Sequence, residues 1–205
     1  AKTKIDKRIN GIDKKIAELI EKLPVFKLIY GNFEYKSKYK KELKNIKKYS
    51  KRFNDKGYEV DEELLMLAVF FNDIPSEKYD ELNLTVNERN IFELKKDERL
   101  NLLKKNIDRV SLFKIMANIS IDKIVYFLAT DDDSRLHQNI NLYFDDLIDI
   151  NIIIDGHDII KMGVEPGPDI KKILQTIWKE KLNKNIKTEK EEKELAEKLV
   201  NNRME

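Results

Sequence analysis

Asp155-Gly156-His157-Asp158-Ile159-Ile160-Lys161-Met162-Gly163-Val164-Glu165-Pro166-Gly167-Pro168-Asp169-Ile170 is the stretch from which the fold reads most directly. It spells helix, tight turn, helix. The Asp155 carboxylate is placed to satisfy first-turn amides of a helix running to Met162. Gly163 then suits the left-handed position that ends a helix, because it has no Cβ to clash there. Pro168 suits the first turn of the next helix, where its missing N–H costs nothing. Gly163 and Gly167 are expected to allow close packing across the turn, with Met162, Val164 and Ile170 filling beneath it.

Downstream, Ile173, Leu174, Ile177, Trp178 and Leu182 recur at gaps of three to four and line a helix face. An acidic run, Glu189 to Leu195, opens a last helix. Upstream, Ile150 to Ile154 is β-branched but has no partner run nearby, so it reads as an extended buried linker and not as a strand. Asp131-Asp132-Asp133-Ser134 precedes a helix from Arg135 to about Leu147. Clustered carboxylates suit divalent cations, but the same residues are accounted for by the unpaired amides and positive dipole at a helix start. Ser120 and Asp108 or Ser111 are placed to cap two shorter helices, Ile121 to Ala129 and Leu112 to Ala117.

Toward the N-terminus, Thr85 through Lys105 and Glu62 to Asn72 read as helices, the latter capped at Asp61 or the residue before it and stopped before Pro75. In Lys36 to Lys56, Tyr39, Leu43, Ile46, Tyr49 and Phe53 share a face, lysines fill the others, and Gly57 closes the helix. Ile5, Ile9, Ile12, Ile16, Leu19, Ile20 and Leu23 stripe a first helix ended by Pro24. Six Gly and four Pro in 205 residues leave few turns for a β-rich chain. The fold class is all-α. With no Cys there is no disulfide or thiolate zinc site, and no apolar run approaches the roughly 20 residues that cross a bilayer. A cytoplasmic, non-membrane protein is expected.

The order Gly156-x-Asp158 through Gly163-x-x-Pro166-Gly167-Pro168 resembles the C-terminal motif of bacterial tRNA nucleotidyltransferases and poly(A) polymerases. In that family a Gly-x-Asp-Leu-like helix leads to Leu-Gly-x-x-Pro-Gly-Pro and a second helix. The likeness continues through Leu182, Ile186, Lys187 and Thr188 into the acidic helix, and is looser over Ser120 to Leu147. Two positions depart from it. Lys171 stands where a further Gly is frequent, and Asp169 stands where a basic residue is frequent. The resemblance implies a helical body over residues 1–150, a C-terminal tail over 151–205, and RNA held by both.

The family's chemistry belongs to an N-terminal head carrying a Gly-Gly/Gly-Ser segment and a strand-borne Asp-x-Asp. Neither is recognisable in these residues, nor is the Glu-Asp-x-x-Arg motif that reads the incoming nucleotide. Asp131 and Asp133 match the Asp-x-Asp string but precede a helix. No catalytic residue, metal ligand or cofactor is therefore assigned, and the chain alone is expected to be inactive. Magnesium and a nucleoside triphosphate are implied for the head only. The resemblance leaves open whether the parent enzyme adds CCA, A or a poly(A) tail.

Charge points the same way. Residues 1–60 hold 18 Lys/Arg against 8 Asp/Glu, whereas residues 61–205 hold 22 against 30. A local cationic surplus attracts a polyanion through counterion release, without regard to base sequence. The expected partner is tRNA or another RNA. The residues expected to touch it are Lys36, Lys38, Lys40, Lys41, Lys44, Lys47, Lys48, Lys51 and Arg52, with Lys171, Lys172 and Lys179 from the tail. Two other readings are weighed. His157-Asp158 is the dipeptide that helical metal-dependent phosphohydrolases place at their metal, but His137 is the only other histidine to complete such a site. A helical protein-interaction module without RNA binding is the alternative, although no internal repeat supports a solenoid.

Overall fold

The computed structural model describes residues 37–71, 85–86, 89–90 and 98–204. The chain is all-α: among the described residues there are nine α-helices, one π-helical turn and no strand. They fall into two compact units. One comprises the described residues up to Lys104 together with Ile119–His137; the other comprises Lys105–Asn118 and the chain from Gln138 onward. The boundary expected near residue 150 lies inside the second unit. The isoleucine stripe of residues 5–23 lies outside the described residues, as does most of the helix expected after Thr85.

In the first unit, α1 (Ser37–Asn54) buries Tyr39, Leu43, Ile46, Ser50 and Phe53 completely or nearly so. Tyr49, expected on that face, is instead half-exposed, with its ring 6.1 Å from that of His137. At 100° per residue, position 50 falls about 20° from the centre of the buried face and position 49 about 80° away. The helix closes at Gly57, whose φ of +88° is left-handed, with Gly57 N–H donating to Asn54 O and Tyr58 N–H to Phe53 O. This paired closure satisfies carbonyls that would otherwise end without partners.

α1 packs against α2 (Glu62–Phe71) and along α5 (Ile121–Thr130). Asp61 caps α2 through the Leu64 N–H at 3.0 Å. All six residues from Ile124 to Ala129 are buried, so α5 is covered on every side. That burial explains its continuous apolar run, at about 1.5–3 kcal/mol for each large side chain taken from water. Asn45 spans from α1 to the Ala129 carbonyl at 3.1 Å. Helix α3 (Glu98–Leu103) adds Leu100 and Leu103 to the buried residues.

The second unit holds α4 (Arg109–Met116), capped by Asp108 through the Ser111 N–H. Helix α6 (Ser134–Leu142) starts in the first unit and runs into the second, where it continues as a π-helical turn, Tyr143–Leu147. The single helix expected over residues 135–147 therefore changes hydrogen-bond register at its end, with Ile148 N–H donating to Tyr143 O. Ile150 to Ile154 is irregular, with Ile154 buried and Ile153 exposed. It leads into α7 (Gly156–Lys161), α8 (Pro168–Leu182) and α9 (Glu189–Met204). Ile154, Ile159, Ile173, Ile177, Ala196 and Val200 form one buried cluster joining these helices.

Candidate nucleic-acid interface

The outer surface of α1 carries eight cationic side chains and one carboxylate, Glu42. Lys40, Lys44, Lys47 and Lys51 recur at i, i+4, i+7 and i+11, one row along the helix. Lys41, Lys48 and Arg52 lie on the adjoining row, and Lys38 flanks the buried face. Like charges three or four positions apart destabilise a helix by about 0.2–0.5 kcal/mol per pair, and this helix holds several such pairs. Part of the charge is met locally. Lys41 is bonded to Asp132 at 2.5 Å on the open surface, which holds the Asp132 carboxyl below the usual carboxylate range. Lys48 sits 4.9 Å from the Tyr49 ring. Lys40, Lys44 and Lys51 are exposed and ion-paired to no described residue. Lys36 lies outside the described residues.

The aspartate run before α6 is structural. Asp133 accepts from the Arg135 and Leu136 amides at 2.8 and 3.0 Å, and Asp131 accepts from the Asp133 amide at 3.0 Å. Asp131 is also ion-paired with Lys104. Ser120 stands at the N-cap position just before α5, as expected, but makes no side-chain capping bond there.

The second unit contains the Gly-x-Asp…Gly-x-x-Pro-Gly-Pro hairpin. Asp155 accepts from the His157 and Asp158 amides at 2.8 and 3.0 Å, and Asp158 returns a bond to the Asp155 amide at 3.2 Å. Chiefly the Asp158 amide, with the His157 amide, holds the Asp155 carboxyl below its ordinary range. This reciprocal box consumes the His-Asp dipeptide's carboxylate. His157 is exposed, while the His137 ring is bonded to the Asp131 carbonyl at 2.7 Å. Among the described residues no group of three or more His, Asp or Glu is arranged to hold a metal ion.

Gly163 has φ +97°, and α7 closes through Gly163 N–H to Ile160 O and Val164 N–H to Ile159 O. The close packing expected at Gly163 and Gly167 is not what these glycines provide. A Cβ on Gly163 would meet nothing within 4 Å, and one on Gly167 only the Glu165 carbonyl at 3.9 Å. Gly163 is needed for its backbone conformation. The nearest approach is at Gly156, where a Cβ would meet Ile170 Cγ2 at 3.5 Å. Pro166 and Gly167 make the bend, and Pro168 stands at the start of α8 as expected. Met162, Val164 and Ile170 pack beneath the turn.

On α8, Lys172 and Lys179 are seven positions apart on one exposed stripe, and Lys171 lies on the next. Lys172 is bonded to Asp169 at 3.0 Å. The twelve cations singled out by sequence thus divide: eight gather on α1, three stand on α8 in the other unit, and Lys36 is not described.

Two arrangements escaped the sequence reading. Glu192 of α9 is completely buried, accepting from the Ile153 amide at 2.7 Å and from Lys181. Its signal was a Glu four and eight residues before the buried Ala196 and Val200, on the apolar face. Arg109 bonds the Leu182 carbonyl and lies 2.7 Å from Asp146, which Lys184 also meets at 2.7 Å. Nothing in the spacing of Arg109, Asp146 and Lys184 announces that they meet.

The fold and its charged helix define a class: an all-helical protein with a lysine-rich helix in one unit and a capped Pro-Gly-Pro hairpin in the other. No protein family model matches the sequence, and no curated protein does. Among solved structures the chain is similar to the Thermotoga maritima CCA-adding enzyme complexed with tRNA-CCA, with a TM-score of 0.59 at 19% identity. The match covers 91% of this chain and 46% of that one, so the chain spans under half the neighbour's length. It has the fold of a helical region of that enzyme.

Proposed function

We propose that this chain is the RNA-holding body and tail of a tRNA nucleotidyltransferase or poly(A) polymerase, positioning an RNA 3′ end for nucleotide addition by a separate head domain. The observation that carries the reading is the α1 surface, with eight cations against one carboxylate. Such a helix tolerates unfavourable charge pairs that an external polyanion would relieve. The likeness to a helical region of an enzyme solved with tRNA supports it, as does the Pro-Gly-Pro hairpin. Lysines presented along a helix suit phosphate contacts, which position a duplex without reading its bases.

The test is a salt titration of binding to tRNA, with a DNA duplex of similar size as control. Preference for tRNA with a steep loss of affinity as salt rises is expected, the slope counting the phosphates contacted. Changing Lys40, Lys44, Lys48 and Lys51 together to Glu should abolish binding with helicity unchanged. Unaltered binding in that variant, or no binding of the parent chain at low salt, refutes the reading and favours a protein-interaction module.

A further inference from the structure

A groove of about 500 Å³ opens on the second unit, between the irregular segment before α7 and the exposed side of α8. Its apolar walls include Ile152, Ile170, Leu174 and Trp178, and its polar groups are Lys171 and Gln175. The lining contains no carboxylate among the described residues. Its size lies within the range of small-ligand sites, which are mostly apolar with a few polar groups that orient the occupant.

We propose that this groove receives one unpaired nucleobase of the RNA, stacked on Trp178, with the adjacent phosphate on Lys171 and the base edge on the Gln175 amide. The inference rests on the RNA-holding reading and adds a contact that α1 does not supply. Phe113 packs edge-on against the indole at 4.9 Å, which fixes the ring as a half-exposed wall. A base stacks on such a ring whatever its identity. Charge complementarity decides the occupant. Lys171 stands in the groove itself, and exposed Lys172 and Lys179 occupy the neighbouring stripe of α8. A polyanion supplies a counter-charge to Lys171 and Lys179, Lys172 being already paired with Asp169, whereas an apolar side chain from a protein would cover Lys171 without one.

Trp178 is the chain's single tryptophan, so its emission reports on this groove alone. The experiment titrates the full chain with an RNA hairpin bearing an unpaired loop and with a blunt RNA duplex, reading RNA anisotropy and Trp178 emission together. Emission should change on binding the hairpin and not the duplex. Leu174→Glu, which puts a carboxylate in the groove, should remove that change and weaken hairpin binding roughly tenfold with duplex binding nearly unaltered. Gln175→Ala, at an exposed helical position that tolerates Ala, should weaken hairpin binding about two- to fivefold. Hairpin binding with unchanged emission, or equal emission changes with both RNAs, overturns the proposal and leaves the RNA-holding reading intact. Failure of both RNAs to bind removes both readings. Emission that shifts with protein concentration alone assigns the groove to a second copy of the chain and also overturns the proposal.

Discussion

Replacing Glu192 by Ala removes the only carboxylate that is fully buried among the described residues, and with it two bonds at once. The Ile153 amide at 2.7 Å and the Lys181 ammonium lose their acceptor. Lys181 keeps only about a fifth of its side chain exposed, so its charge cannot simply be rehydrated in place. Breaking a buried pair by deleting one member costs about 3–5 kcal/mol, and a stranded amide accounts for about 1–3 kcal/mol of such losses. Glu192→Ala is therefore expected to lose about 3–5 kcal/mol in urea unfolding followed by Trp178 emission, which reports on the second unit. The double variant Lys181→Met/Glu192→Leu removes both charges and leaves only the Ile153 amide unmet, so its expected loss is about 1–3 kcal/mol. A single-variant loss under about 1 kcal/mol, or a double variant worse than the single, refutes the account of Glu192 as a buried acceptor joining α8, α9 and the segment before α7.

Gly163→Ala should cost about 1 kcal/mol in thermal unfolding through its φ of +97° alone, since no atom lies within 4 Å of the new Cβ. A larger loss would mean that packing matters there after all. Lys184, then Arg109, hold the Asp146 carboxyl below its ordinary range. A carboxyl depressed in the folded state adds stability that is present above its unfolded pKa and lost as pH falls through the folded one. Asp146→Asn should therefore flatten the acid limb of the stability curve below about pH 4; an acid limb of unchanged steepness would sink this.

Much of the local structure was legible because its causes are local. Asp155, Gly163 and Pro168 act on backbone groups within a few residues of themselves, so spacing alone places them at the start and end of α7 and the start of α8. The same holds for Asp61, Asp108 and the Asp131–Asp133 run. Where two residues competed for one face, spacing failed. Tyr49 and Ser50 both fit gaps of three and four, and polarity favoured the wrong one. Ser50 is buried where α1 passes its neighbours, its hydroxyl without a partner among the described residues. The glycines of the hairpin were rightly placed, but close packing was the wrong reason for Gly163.

The cationic character of α1 is likewise a property of the sequence, since helical periodicity turns Lys40, Lys44, Lys47 and Lys51 into one row. Which of the cations remain available is not. Asp132 meets Lys41 from 91 residues away, and Asp146 draws together Arg109 and Lys184. The groove beside Trp178 needs Ile152 brought against α8, and the burial of Glu192 needs α9 laid on the segment before α7. The sequence alone determined helices, caps and the charge of α1, because hydrogen bonds and periodicity over a few residues dictate them. Tertiary structure alone decided the ion pairs, the buried carboxylate and the groove, because each depends on groups far apart in the chain whose approach is set by packing of the whole unit.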